Sequence, residues 1–207
     1  LKKYGIMGGT FDPIHHGHLV IANEVLSLFD LDKIIFIPTG MPPHKIVEGL
    51  TSPYHRYMMT QFATMTNPDF DVSDIETKKS TMSYTIDTLK ELISGNEEEK
   101  FYFITGTDAV LDLPSWKNTE EILSLCTFIA VNRPGYIVDG LDKKIKAITD
   151  KYGGEIYITK APQLHISSTD IRNRIASKRP VKYLLPEMVE QYILKNGLYQ
   201  EIQLKCL

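Results

Sequence analysis

The sequence predicts an α/β fold in which helices wrap both faces of a doubly wound parallel sheet, and three observations lead there. Short β-rich runs alternate with helical patterns through most of the chain, as they do when helices are the crossovers between parallel strands. No Pro/Gly/Ser-rich linker divides the 207 residues, a length sufficient for one sizeable core. Apolar residues make up 43% and charged residues 24%, which excludes disordered, collagen-like and fibrous architectures.

The elements follow in chain order. A strand is expected over residues 3–7, and then a helix over 17–29, where Leu19, Ala22, Leu26 and Phe29 recur at three- and four-residue spacings. A strand over 33–38, a helix over 53–66 and a strand over 70–75 come next. The helix expected over 83–94 carries Ile86, Leu89, Leu92 and Ile93 on one side and stops at Gly95. A strand over 100–105 precedes the segment GTDAVLDLPSW, which is followed by a helix over 118–125, a strand over 127–132, a helix over 139–149 and a strand over 155–159. Two helices close the chain, 168–177 and 186–196. Pro186 suits a first helical turn, and Gly197 stands where the last helix should stop. The run NEEEK at 96–100 reads as a solvated turn, and there is no internal repeat. One domain over 1–207 is expected, with its core in about 1–165 and a short C-terminal helical extension in 166–207.

With 23 Lys+Arg against 26 Asp+Glu, the formal net charge of −3 argues against a nucleic-acid binder, which needs a strongly basic face. A small anionic ligand held by a few local donors fits better. The two cysteines, Cys126 and Cys206, exclude a disulfide framework and suit a reducing compartment. No apolar stretch approaches the roughly 20 residues that span a bilayer, and no secretion signal opens the sequence. The expectation is a cytoplasmic protein without a membrane partner, and a homo-oligomer is compatible with it.

The most informative segment is GGTFDPIHHGH, Gly8 to His18, between the first strand and the first helix. Adjacent glycines Gly8 and Gly9 let the backbone approach a ligand, and the helix start near Gly17 aims its positive dipole end at the same space, so a phosphate can sit there. His15 and His18 are three apart and share one face of a helical first turn. An imidazole that donates to a phosphate oxygen stabilises the charge that grows during in-line nucleotidyl transfer. Gly17 leaves room for a flat base against the backbone. The plainer reading of each histidine alone is a surface or capping residue. Three histidines in four residues also suggest a metal site, but no cysteine or carboxylate cluster completes a ligand set.

A second segment, ISSTDIR from Ile166 to Arg172, places Ser167, Ser168 and Thr169 at a helix start, where hydroxyls and unpaired amides can bind phosphate. Arg172 adds a donor fork one turn later. Its plainer reading is a capping box, Ser167 with Asp170.

The Gly8–His18 segment is similar to the (H/T)xGH signature of the nucleotidyltransferase α/β-phosphodiesterase superfamily, and its full form resembles the bacterial nicotinate-nucleotide adenylyltransferases. The likeness extends from about Gly5 to Tyr199 through IPTGMPPHK, SYTIDTL, GTDAVLDLPSW and VNRPGY. It implies a Rossmann-like nucleotidyltransferase domain in which ISSTDIR closes over the ATP phosphates opposite the HxGH turn. The implied reaction is attack of the phosphate of nicotinate mononucleotide on the α-phosphorus of ATP, which yields nicotinate adenine dinucleotide and pyrophosphate for NAD biosynthesis. Mg²⁺ would arrive with ATP, because no dedicated carboxylate cage is visible.

The resemblance also assigns residues. His15, His18, Lys45 and Arg172 take catalytic roles, while Gly8, Gly9, Thr10, Phe11, Gly17, Gly106, Asp108, Ile166, Ser167 and Ser168 bind ATP, Asp108 through ribose hydroxyls. Thr85 and Lys117 offer backbone amides to the nicotinate carboxylate, Trp116 stacks on the pyridine ring, and Arg133 approaches substrate phosphate. Lys117 departs from the aromatic residue common in the family, a change that a backbone contact tolerates. Taken alone, Lys45 is an exposed lysine in a Pro-rich loop, SYTIDTL a helix start, Trp116 a core aromatic and VNRPGY a turn. The competing functions are adenylyl transfer to nicotinamide mononucleotide or phosphopantetheine, and a non-catalytic nucleotide-binding module.

Overall fold

The computed structural model describes residues 1–41, 49–96, 98–132, 140–162 and 164–200. Six strands, β1 (Lys3–Gly9), β2 (Lys33–Pro38), β3 (Phe70–Val72), β4 (Lys100–Gly106), β5 (Thr127–Asn132) and β6 (Ile156–Lys160), form one sheet in the order β3-β2-β1-β4-β5-β6 with every pairing parallel. This is the Rossmann-like order, whose direction reverses between β1 and β4 and opens a crevice beyond their carboxyl ends.

Helices α1 (His16–Leu28), α2 (Pro53–Thr64), α3 (Thr85–Ile93), α4 (Thr107–Leu111), α5 (Thr119–Leu125), α6 (Leu141–Tyr152), α7 (Ser168–Ala176) and α8 (Glu187–Lys195) cover the sheet. Strand residues alternate between two apolar cores because successive side chains point to opposite faces. Met7, Ile34, Phe36, Ile104 and Ile129 join α1, α2, α7 and α8 on one face. Ile6, Ile37, Phe103, Phe128 and Ala130 join α3, α4, α5 and α6 on the other. Cys126 belongs to the second core, where burial pushes its thiol up to about 12, so it packs rather than reacts. No helix among the described residues is long and apolar enough to cross a membrane.

The differences from the expected elements have local causes. The third strand ends at Val72 instead of residue 75, because Asp74 opens a turn whose carbonyl accepts from the Lys78 amide. Ser83 is not helical. Its amide donates to the Met41 carbonyl and Met41 bridges Met82, so the chain stays extended until Tyr84 caps α3. Pro186 caps α8 in an extended conformation and does not enter its first turn. The segment after β4, where the sequence pattern predicts no element, forms α4 and a 3-10 turn, Leu113–Ser115.

Candidate active site

The loop after β1 leaves the sheet at the switch point and runs into α1. Phe11 takes a left-handed conformation (φ 47°), rare and costly for a bulky residue. Its buried ring packs edge-on against His18, centroids 5.1 Å apart, and against Phe36. Phe11 therefore enters the core through its side chain and leaves only its backbone to a ligand. A Cβ on Gly9 would lie 2.8 Å from the Phe11 ring, so glycine is required there.

Long-range donors hold this strained loop by its oxygens. Arg56 on α2 donates to the Thr10 carbonyl at 2.7 Å. On α7, Arg172 donates to the Asp12 carbonyl at 2.7 Å and Ser168 to the Pro13 carbonyl at 2.8 Å. The Tyr199 hydroxyl donates to one Asp12 carboxylate oxygen at 2.6 Å, and the Thr51 amide reaches the other at 3.4 Å. Burial, followed by the neighbouring Asp12 carboxylate, pushes the Tyr199 phenol above the ordinary tyrosine range and keeps it a donor.

His15 caps α1 in an extended conformation. The histidine rings stack with centroids 3.8 Å apart and planes 25° from parallel, while the His15 amide donates to His18 Nδ1 at 3.3 Å. The histidines thus form one pair at a helix start whose first turn holds no acidic residue, which leaves the positive dipole end uncancelled. A Cβ on Gly17 would lie 3.0 Å from the His15 ring, so the room beside Gly17 serves that imidazole and is not open space for a base. Among the described residues no group of three or more His, Cys, Asp or Glu could hold a metal ion.

Ser167 caps α7 by accepting from the Asp170 amide at 3.1 Å, and half-buried Ile166 packs against the core. The capping reading of ISSTDIR therefore holds for Ser167. Ser167 serves the helix, while Ser168 and Arg172 reach the HxGH loop. Gly106 ends β4 as the cap of α4, and the exposed Asp108 lies in the first turn of α4.

Beyond Gly8, Gly9 and Thr10 lies a cavity of about 330 Å³, a size suited to a small ligand. Its lining also includes Tyr84, Thr85, Phe103, Trp116 and Lys117. Trp116 meets Phe103 and Phe128 edge-on, so it is a packing residue on one side and a cavity wall on the other. The Lys117 ammonium sits 4.4 Å over the Tyr84 ring and 3.6 Å from Asp87, linking the start of α3 to the segment after α4. Lys45 and Arg133 lie outside the described residues.

The sequence reading missed Arg56, Glu76, Ser83 and Tyr199. Glu76 and Ser83 line the cavity, and the buried Ser83 hydroxyl has no hydrogen-bond partner among the described residues. One signal was available for Arg56, a charged residue on the helix stripe that also carries Met59 and Ala63.

Comparison with known proteins agrees with this fold. The cytidylyltransferase-like family model matches residues 6–174. A Thermoanaerobacter sp. (strain X514) protein named "Probable nicotinate-nucleotide adenylyltransferase" is 53% identical, over 96% of this chain and 95% of that relative. A Desulfitobacterium hafniense (strain Y51) protein of the same name is 46% identical, over 96% of each chain. The solved structure of Plasmodium falciparum nicotinic acid mononucleotide adenylyltransferase complexed with NaAD is similar at TM-score 0.78 and 25% identity, over 97% of this chain and 98% of that one.

Proposed function

This chain belongs to the nicotinate-nucleotide adenylyltransferase family, among the cytidylyltransferase-like proteins, and from that premise we propose that it adenylylates nicotinate mononucleotide with ATP. A phosphate oxygen of the mononucleotide attacks the α-phosphorus of ATP. The bond from that phosphorus to the bridging oxygen breaks, pyrophosphate departs, and nicotinate adenine dinucleotide remains. No covalent enzyme intermediate is required.

The protein contributes position and charge stabilisation. The triphosphate lies along Gly8 to Phe11 at the start of α1, where His15 and His18 donate to its oxygens and His18 supplies the contact that strengthens as charge develops. Gly17 gives His15 its place. Lys45, Ser168 and Arg172 face the same phosphates, with Ile166 and Ser167 forming the segment that closes over them. Gly106 and Asp108 meet the adenosine ribose. Trp116 stacks on the pyridine ring, the amides of Thr85 and Lys117 hold its carboxylate, and Arg133 approaches the acceptor phosphate. Mg²⁺ enters as part of the substrate MgATP. The sheet and the helices after residue 165 act as one domain, and the reaction takes place in the cytoplasm.

One observation carries this reading. Ser168 and Arg172 on α7 donate to the Pro13 and Asp12 carbonyls, 155 and 160 residues away, so the ISSTDIR segment meets the loop whose first residues, Gly8 to Thr10, line the cavity together with Thr85 and Trp116. Pyrophosphate release from ATP tests it, measured separately with nicotinate mononucleotide, nicotinamide mononucleotide and phosphopantetheine. Release at least about tenfold faster with nicotinate mononucleotide is expected. Faster release with another acceptor overturns the substrate assignment. ATP binding without release for any acceptor makes the chain a nucleotide-binding module.

A further inference from the structure

We propose that Arg56 is a positioning residue which, through Gly40, Glu76 and Thr88, sets the spacing between the ATP side and the acceptor side of the site; the inference rests on the adenylyl-transfer reading. Arg56 is 0% exposed and is the largest fully buried side chain among the described residues. Its donors go to three carbonyls on three segments: Thr10 after β1 at 2.7 Å, Gly40 after β2 at 3.0 Å and Thr51 before α2 at 3.0 Å. A guanidinium is a rigid planar fork, so these segments are held at fixed separations from one another.

The connection continues past Gly40. Its amide donates to Glu76 Oε2 at 3.3 Å, and the Thr88 hydroxyl donates to Glu76 Oε1 at 2.8 Å. Gly40 is thus held by both its N–H and its C=O, and a Cβ there would lie 2.3 Å from the Glu76 carbonyl oxygen. Thr88 stands one turn beyond Thr85 on α3, and both line the cavity. An unbroken hydrogen-bonded chain therefore runs from Thr10 to α3, with the phosphate loop at one end and the acceptor wall at the other. In-line transfer depends on the separation of the two substrates, which no residue touching only one of them can set.

Removing a buried charge also costs stability, so loss of folded protein alone cannot distinguish the roles. The test is steady-state kinetics on wild type, Arg56→Lys, Thr88→Val and the double variant, each first shown to be folded by circular dichroism. Lysine keeps the charge but cannot span three carbonyls. Arg56→Lys is expected to lower kcat about 100-fold, the cost of a misplacement near 1 Å, with the KM for ATP and for nicotinate mononucleotide both within about threefold of wild type. Thr88→Val should lower kcat about tenfold, and the double variant should be no slower than Arg56→Lys, because both changes break one chain. A folded Arg56→Lys variant with wild-type kcat, a loss confined to one KM, or losses that multiply in the double variant overturns the inference. Should Arg56→Lys not fold, Thr88→Val decides: reduced kcat with an unchanged ATP KM supports the chain, and unchanged kcat overturns it. Absence of pyrophosphate release by wild type overturns the functional reading and this inference together, whereas an active wild type with unaffected variants overturns the inference alone.

Discussion

Thr10, Asp12 and Pro13 are gripped by Arg56, Arg172, Ser168 and Tyr199, which come from two helices and the segment that follows α8. Elsewhere on the cavity lining, the start of α3 and the Trp116–Lys117 segment meet through a cation–ring contact at 4.4 Å and a 3.6 Å ion pair between half-exposed partners. Exposed pairs of that kind contribute at most about 1 kcal/mol, whereas a hydrogen bond from a charged donor contributes about 1.5–3 kcal/mol. On the proposed assignment, the phosphate end is therefore built before substrate arrives, and the acceptor end is closed by contacts that can shift. That division suits the proposed chemistry. Charge stabilisation requires dipoles already in place, while acceptor recognition tolerates adjustment.

Variants at the two ends should fail in different ways. The largest effect is expected for His18→Ala, a loss of about 100-fold or more in kcat with the KM for ATP within about threefold, because the lost contact strengthens only in the transition state. Near-normal turnover would remove His18 from the mechanism and break the contrast at its strongest point. Trp116→Ala should raise the KM for nicotinate mononucleotide about tenfold, the usual worth of one stacking surface, and leave kcat within about threefold. An unchanged KM would show that Trp116 serves only Phe103 and Phe128.

The smallest effect on turnover concerns the brace itself, whose change is read in stability. Tyr199→Phe leaves an Asp12 carboxylate oxygen without its 2.6 Å donor and should cost about 2 kcal/mol of stability near neutral pH, read from denaturant unfolding. The pH dependence has a definite sign. The folded-state value of the Tyr199 phenol is raised, so its contribution is complete below about pH 10, where the unfolded chain is still protonated, and declines as pH rises above that point. Wild type should lose stability more steeply than Tyr199→Phe above about pH 10. Equal slopes would show that the hydroxyl does not hold the loop.

Much of the fold was legible because it depends on local pattern. The second and fifth strands have the bounds expected from their apolar, β-branched runs. The start of α3 was misplaced because Ser83 is held extended by Met41, about 40 residues earlier, and no local pattern carries that bond. The site divides in the same way. His15, Gly17 and His18 were recognisable as a spaced motif, and ISSTDIR as a helix start. The braces were not: Arg56 and Tyr199 act on the backbone oxygens and the carboxylate of a distant loop, and such acceptors leave no spacing in the sequence. That the Phe11 ring fills the core and that Gly17 makes room for the His15 imidazole leave no trace in the spacing, because only the loop's left-handed turn and ring stacking reveal them.

The central claim is that the phosphate loop is preorganised, and comparison of crystal structures without ligand and with bound nicotinate adenine dinucleotide, superposed on the six strands, tests it most directly. The account predicts that the backbone of residues 8–18 moves by less than about 1 Å, with the Arg56, Ser168 and Tyr199 hydrogen bonds intact and any larger shift confined to the segments around Thr85 and Trp116. A rearrangement of the loop by more than about 2 Å, with those bonds broken, would contradict it.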